Sequence, residues 1–288
     1  MAPRMLASMW RYRLGGEVRD LSKRALVMGI LNRTPDSFYD QGATFELDAL
    51  LRRAERLASE GADLLDVGGV KAGPGPEVGE AEETERVVPT IAALRARVDL
   101  PISADTWRAS VLHEACEAGA CVGNDISGFA DPEYLAVAAR HGASVVATHI
   151  RLRPRVPDPE PVYDDLLGDV TAFLLDRAAR AEAAGLLPEQ IALDAGLDLG
   201  KTPAMSAALL RDSDALASHG YTLLLSASNK RFIGDLLGVP VDDRRTESLA
   251  CVAYGVAHGC RIVRVHDVAG SAKVCRTIEA LLDPEACR

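Results

Sequence analysis

Residues 119–149 read GACVGNDISGFADPEYLAVAARHGASVVATH. A short apolar run at 121–123 ends in Asn124 and Asp125. An amphipathic stretch over 132–140 is closed by His141 and Gly142, and a second apolar run at 143–147 ends in Thr148 and His149. The apolar runs are continuous and not alternating, as strands covered on both faces of a parallel sheet require. Glycine just after a helical stretch is the left-handed cap signal. The segment therefore predicts a strand–helix–strand unit with polar side chains at each strand's C-terminal end.

The same unit recurs along the chain. Apolar runs at 25–31, 64–67, 101–104, 121–123, 143–147, 191–193, 222–225 and 261–265 alternate with helical patterns at 46–60, 80–98, 108–118, 132–140, 165–184, 203–219, 244–258 and 269–282. Eight such repeats predict an α/β fold, a (β/α)8 TIM barrel over residues 25–288, with a doubly wound sheet as the alternative. No linker or low-complexity stretch divides the chain. Residues 1–24 precede the first strand, and Gly15-Gly16 predicts a small hairpin there, covering the barrel floor. The stretch 151–163, RLRPRVPDPEPVY, reads as an irregular loop insertion.

The chain has 288 residues, of which 48% are apolar, 26% charged and 5% aromatic. That balance excludes disorder and collagen-like repeats. Lys and Arg total 32 against 42 Asp and Glu, a net charge of −10, so neither nucleic acid nor an anionic membrane is an expected partner. Cys116, Cys121, Cys251, Cys260, Cys275 and Cys287 form no C-x-x-C pair and stand at no zinc-ligand spacing with a histidine. They read as reduced cysteines of a cytoplasmic protein. No signal peptide is expected, and no run approaches the about 18 apolar residues of a spanning helix.

Active sites of this fold lie at the C-terminal ends of the strands. Those ends carry Asn32, Asp66, Asp105, Asn124, His149, Asp194, Ser228, Lys230, Arg264 and His266. Buried polar groups need partners, so a converging set of them lines a polar pocket. Asp105, Asn124 and Asp194 offer acceptors and an amide to a ring with an amidine-like edge, such as a pterin or purine. Lys230, Arg264 and His266 place positive charge at the seventh and eighth strand ends, where barrel phosphate sites commonly sit. Other polar residues read as structural. His113, His141, His219 and His258 fall in or after helices as surface or cap residues, Trp107 reads as packing, and Gly200-Lys201-Thr202 lacks the upstream glycine of a P-loop. For His149, pocket lining and structural hydrogen bonding are both open.

The stretches MGILNRTPDSFYDQG (28–42), DVGG (66–69), SADTW (103–107), GNDISG (123–128), ATHI (147–150), LDAGLDLGKT (193–202), SASNKRFIG (226–234) and RIVRVHDV (261–268) follow one another in a recognisable order and spacing. Over residues 25–283 the chain resembles the dihydropteroate synthase family. The resemblance implies the same barrel and a reaction that joins p-aminobenzoate to 6-hydroxymethyl-7,8-dihydropterin pyrophosphate, expelling pyrophosphate. It implies that Asp105, Asn124, Asp194 and Lys230 hold the pterin. It assigns Asn32 to Mg2+ and pyrophosphate, Arg264 and His266 to the leaving anion, and Ser228, Pro35 and Phe38 to the acceptor side. It also implies a homodimer through the late helices.

The second loop departs from the family pattern. The family has Gly-Gly-Glu-Ser-Thr-Arg-Pro-Gly where this chain has Gly68-Gly69-Val70-Lys71-Ala72-Gly73-Pro74-Gly75. Losing one charge-assisted contact to pyrophosphate costs about 1.5–3 kcal/mol, and Lys71 or Arg33 are the candidates to replace it. Ala195, Asn229, Asp198-Leu199 and Ile150 are further departures. The loop is similar to that of a divergent second-paralogue branch. The alternative is therefore a pterin-binding paralogue with another acceptor or little synthase activity.

Overall fold

Side chains of a strand alternate between its two faces, and in this chain the alternation sorts by height. Leu64 and Asp66, Val122 and Asn124, Ala192 and Asp194, and Ile262 and Arg264 each lie two apart on one strand. The lower member of each pair joins an apolar cluster that also holds Met28, Val146 and Leu224. The upper member is polar. The intervening residues, such as Leu65, Val67, Val145, Leu193 and Val263, pack outward against the helices in a second cluster.

A computed structural model describes residues 10–34, 47–73 and 75–283. The strands are β1 (Arg11–Leu14), β2 (Glu17–Asp20), β3 (Leu26–Asn32), β4 (Leu64–Gly68), β5 (Ile102–Asp105), β6 (Val122–Asp125), β7 (Ser144–Thr148), β8 (Ile191–Asp194), β9 (Thr222–Leu225) and β10 (Cys260–Val265). The helices are α1 (Leu47–Glu60), α2 (Glu80–Arg95), α3 (Ala109–Glu117), α4 (Tyr134–His141), α5 (Leu166–Ala183), α6 (Pro203–Arg211), α7 (Ser213–Ala217), α8 (Arg231–Leu237), α9 (Arg245–Ala257) and α10 (Val268–Leu282). Strands β3 to β10 form a closed barrel in chain order, β10 pairing in parallel with β3. No described helix is long and apolar enough to cross a membrane.

Strands β1 and β2 pair antiparallel and close the floor. The hydroxyls of Ser144 and Thr222 donate to the carbonyls of Arg13 (2.6 Å) and Arg11 (3.2 Å), and the Tyr12 hydroxyl donates to the Val145 carbonyl at 3.4 Å. Tyr12 is fully buried beneath the barrel interior. The Arg261 guanidinium lies over the Trp10 ring at 4.0 Å, an attractive cation–π contact.

Two helical features differ from the sequence pattern. The single helix expected over 203–219 is divided at Asp212, where the Ser213 hydroxyl bonds back to the Leu210 carbonyl at 2.7 Å and Arg211 pairs with Asp212. Such local side-chain bonds compete with the helical ladder. Helix α8 lies between the strand expected at 222–225 and the helix expected at 244–258, where no element was assigned, and Gly238 in the left-handed conformation ends it. Replacing Tyr12 by alanine should empty the floor and cost about 3–5 kcal/mol. Urea unfolding measures this, and a loss under about 1 kcal/mol would show that the floor does not support the barrel.

Candidate active site

The inward register gathers the upper polar residues at the barrel mouth. Arg264 Nε donates to Asp66 Oδ2 at 2.6 Å, and its Nη2 donates to Asp105 Oδ2 at 2.6 Å. Asn124 Nδ2 donates to the same Asp66 oxygen at 3.2 Å. One guanidinium on β10 thus bridges carboxylates on β4 and β5. Burial opposes the Arg264 charge, yet Asp66 and Asp105 outweigh it and hold the group well above its usual range. Burial pushes Asp105 up to about 7 against the pull of Arg264, with Asp66 and Asp125 adding to the rise.

Asp66 has no exposed surface, and its Oδ1 has no hydrogen-bond partner among the described residues. An unmet buried acceptor costs about 1–3 kcal/mol. Asp125, next to Asn124 and facing outward, accepts the amides of Ser127 (2.6 Å) and Phe129 (2.8 Å) and fixes the loop after β6.

A second group sits at β8 and β9. Asp194 Oδ1 accepts the Gly196 amide at 2.7 Å, and Lys230 donates to the Leu197 carbonyl at 2.6 Å. Burial raises Asp194 and lowers Lys230, and each partly offsets the other's shift. Ser228 Oγ lies 2.9 Å from His266 Nδ1, so the β9 and β10 ends are joined.

Behind Asp194, Lys201 Nζ reaches His149 Nδ1 at 2.8 Å and the carbonyls of Gly196 and Leu199 at 3.0 Å each. This cradle fixes the turn after β8. Gly196 has φ +65°, and a Cβ there would meet the His149 carbonyl oxygen at 1.9 Å. Burial and the nearby Lys201 charge lower His149 to about 3, and burial, aided by Lys230, lowers Lys201 to about 7.

Asn32 ends β3, and its Oδ1 would be 3.1 Å from a Cβ at Gly68, with Asp105 Oδ2 at 3.4 Å from the same point. The bare glycine lets two oxygen donors approach one side of the mouth. The Asn32 amide oxygen is a hard donor of the kind Mg2+ takes alongside few protein groups, whereas Asp105 Oδ2 is already held by Arg264. Lys71 lies on the second loop, where Arg155 donates to the carbonyls of Lys71 and Pro76 and ties that loop to the insertion after β7. Arg33 Nη1 donates to the Arg86 carbonyl and the Thr90 hydroxyl, both at 3.2 Å, which directs it to α2. Pro35 and Phe38 lie outside the described residues.

Asp66 and Lys201 carry more of the site than their sequence positions announced. An Asp inside the apolar run LLDVG needed a buried cation, which was the available clue. Lys201 stands in Gly200-Lys201-Thr202, which in the sequence carries no sign of its partner His149. Replacing Arg264 by glutamine should strand Asp66 and cost about 3–5 kcal/mol, and adding Asp66→Asn should recover part of it. Additive losses in denaturant titrations would contradict the pairing. His149 should show no NMR titration between about pH 5 and 8. Its folded value lies below the unfolded one. The stability it contributes is therefore complete above about pH 6.5 and declines as pH falls toward the folded value. A midpoint near neutrality would contradict its burial against Lys201.

The chain is similar to known proteins over most of its length. The family described as pterin binding enzyme matches residues 28–266. A dihydropteroate synthase of Synechocystis is 42% identical over 273 residues, covering 93% of this chain and 94% of the relative. A Mycobacterium leprae protein named inactive dihydropteroate synthase 2 is 45% identical over 268 residues, covering 90% and 91%. The crystal structure of Yersinia pestis dihydropteroate synthase with a sulfonamide drug complex superposes with a TM-score of 0.90 at 39% identity, covering 95% of this chain and 99% of that one. With a family match across most of its length and relatives above 40% identity, this chain belongs to the pterin-binding enzyme family.

Proposed function

We propose that the chain is a dihydropteroate synthase-type transferase in folate biosynthesis, joining 6-hydroxymethyl-7,8-dihydropterin pyrophosphate to p-aminobenzoate with release of pyrophosphate. The observation that carries the reading is the inward set of Asp105 on β5, Asn124 on β6, Asp194 on β8 and Arg264 on β10, with Lys230 at the start of α8, supported by buried Asp66.

In this reading the pterin's guanidine-like edge pairs with carboxylate at Asp194 or Asp105 through charge-assisted hydrogen bonds. Asn124 supplies the amide, and Lys230 donates to the ring. As the methylene–oxygen bond breaks, positive charge grows on the pterin methylene and negative charge on pyrophosphate. Asp194 stabilises the first, while Arg264 and His266, with Lys71, face the second. Ser228, with Pro35 and Phe38, forms the acceptor side, where the amine nitrogen attacks the methylene and then loses a proton. Asn32 would hold Mg2+ together with the substrate's phosphates, and the ion would neutralise phosphate charge. Exposed Tyr254, Leu281 and Leu282 on α9 and α10 support a homodimer through the late helices. The acidic chain of pI about 5.1 supports small-molecule substrates and no nucleic-acid or membrane partner, and the free cysteines among the described residues support a cytoplasmic protein.

Two observations favour a second reading, a pterin-binding paralogue with another acceptor or little synthase activity. Gly73 stands where the family resemblance has a loop arginine, and a relative at 45% identity is named inactive. A product assay with pterin pyrophosphate, p-aminobenzoate and Mg2+ separates the two. Dihydropteroate at ordinary enzyme rates, about 1 s−1 or faster, supports the transferase, and pterin binding without product supports the paralogue. In an active enzyme, Lys71→Ala should raise KM for one substrate about 10-fold or more, the loss of one charge-assisted contact. An unchanged KM would remove Lys71 from the site.

A further inference from the structure

Helices α3 and α4 run from the barrel mouth toward the floor, so their C-terminal ends meet far from the residues described above. His113 and Glu117 stand one helical turn apart on α3, and His141 is the last residue of α4 before Gly142 turns the chain at φ +63°. His113 Nδ1 lies 2.8 Å from His141 Nε2, and His141 Nδ1 lies 3.6 Å from Glu117 Oε1. One ligand atom from each residue falls within 4.8 Å of the others. His113 and Glu117 are exposed and His141 is half-buried.

We propose that His113, Glu117 and His141 form a binding site for a divalent transition cation of the Zn2+ class, clamping α3 to α4 at the floor end of the barrel. Two imidazoles and one carboxylate are borderline donors, which select Zn2+, Cu2+ or Ni2+ over Mg2+. The oxygen donor at the mouth, Asn32, has the opposite preference. The ends of α3 and α4 add partial negative charge from their last carbonyls, which favours a cation there.

The 2.8 Å contact between the rings is a hydrogen bond with one proton between two nitrogens. Zinc takes imidazole nitrogen at about 2.0–2.1 Å in a tetrahedron, which sets neighbouring ligands about 3.3 Å apart. Cation entry therefore moves the shared proton to the far nitrogen of its ring and spreads the pair by about half an ångström, within reach of exposed side-chain rotation. Water completes the fourth position. This site stands on its own geometry and is independent of the transferase reading.

The test is a competition titration of the metal-stripped full chain with Zn2+ against a chromophoric chelator, in excess Mg2+. A melting scan with and without Zn2+ accompanies it. The expected result is one Zn2+ per chain at a Kd of about 10 μM or tighter, a raised Tm, and a loss of affinity of about 10-fold or more in both His113→Gln and His141→Gln. Glu117→Gln should weaken binding less, as a carboxylate lost from the surface rim. Binding weaker than about 100 μM would overturn the proposal, as would stoichiometric binding that both histidine variants leave unchanged.

Discussion

A guanidinium between two carboxylates holds the upper barrel together. Asp66 is wholly buried on β4 and Asp105 stands on neighbouring β5, two residues further along in register, and two such anions inside one barrel repel. Arg264 reaches both from β10. The strand order places β3 and β4 between β10 and β5, so the bridge crosses three of the eight strand-to-strand steps of the barrel. The pairing offsets the desolvation of three charges and fixes the height at which the interior changes from apolar to polar. Asn124 completes it by donating to Asp66. A mouth built this way is preorganised, because its donors and acceptors are positioned by strands rather than by loops.

Much of this was legible in the sequence. The continuous apolar runs and the glycines after most of the helical stretches identified the eight barrel strands to within a residue or two. Asp105, Asn124, Asp194 and Arg264 could be singled out because they end those runs, and period two then puts them on the interior. What remained hidden depended on partners distant in the chain. Asp66 needs Arg264, 198 positions away, and Lys201 needs His149, 52 positions away. His113 and His141 looked like unrelated surface histidines until the packing of α3 on α4 placed their rings side by side. The break at Asp212 was also hidden, since the apolar period continues across it while Ser213 bonds backward.

The departures from the family pattern fall on loops and leave the strand-end ring intact. Position 73 is glycine, and the second loop is held instead by Arg155 through the carbonyls of Lys71 and Pro76. Asp198 takes a left-handed backbone conformation and accepts the Phe232 amide, tying the β8 loop to α8.

The central claim, that the inward ring recognises a pterin, is tested most directly by isothermal titration with 6-hydroxymethyl-7,8-dihydropterin pyrophosphate and Mg2+ in the absence of p-aminobenzoate. Wild-type protein should bind one molecule per chain, and Asp194→Asn should weaken that binding about 10- to 100-fold, the worth of a charge-assisted hydrogen bond. Equal affinities in the two proteins, or no binding to the wild type, would contradict it.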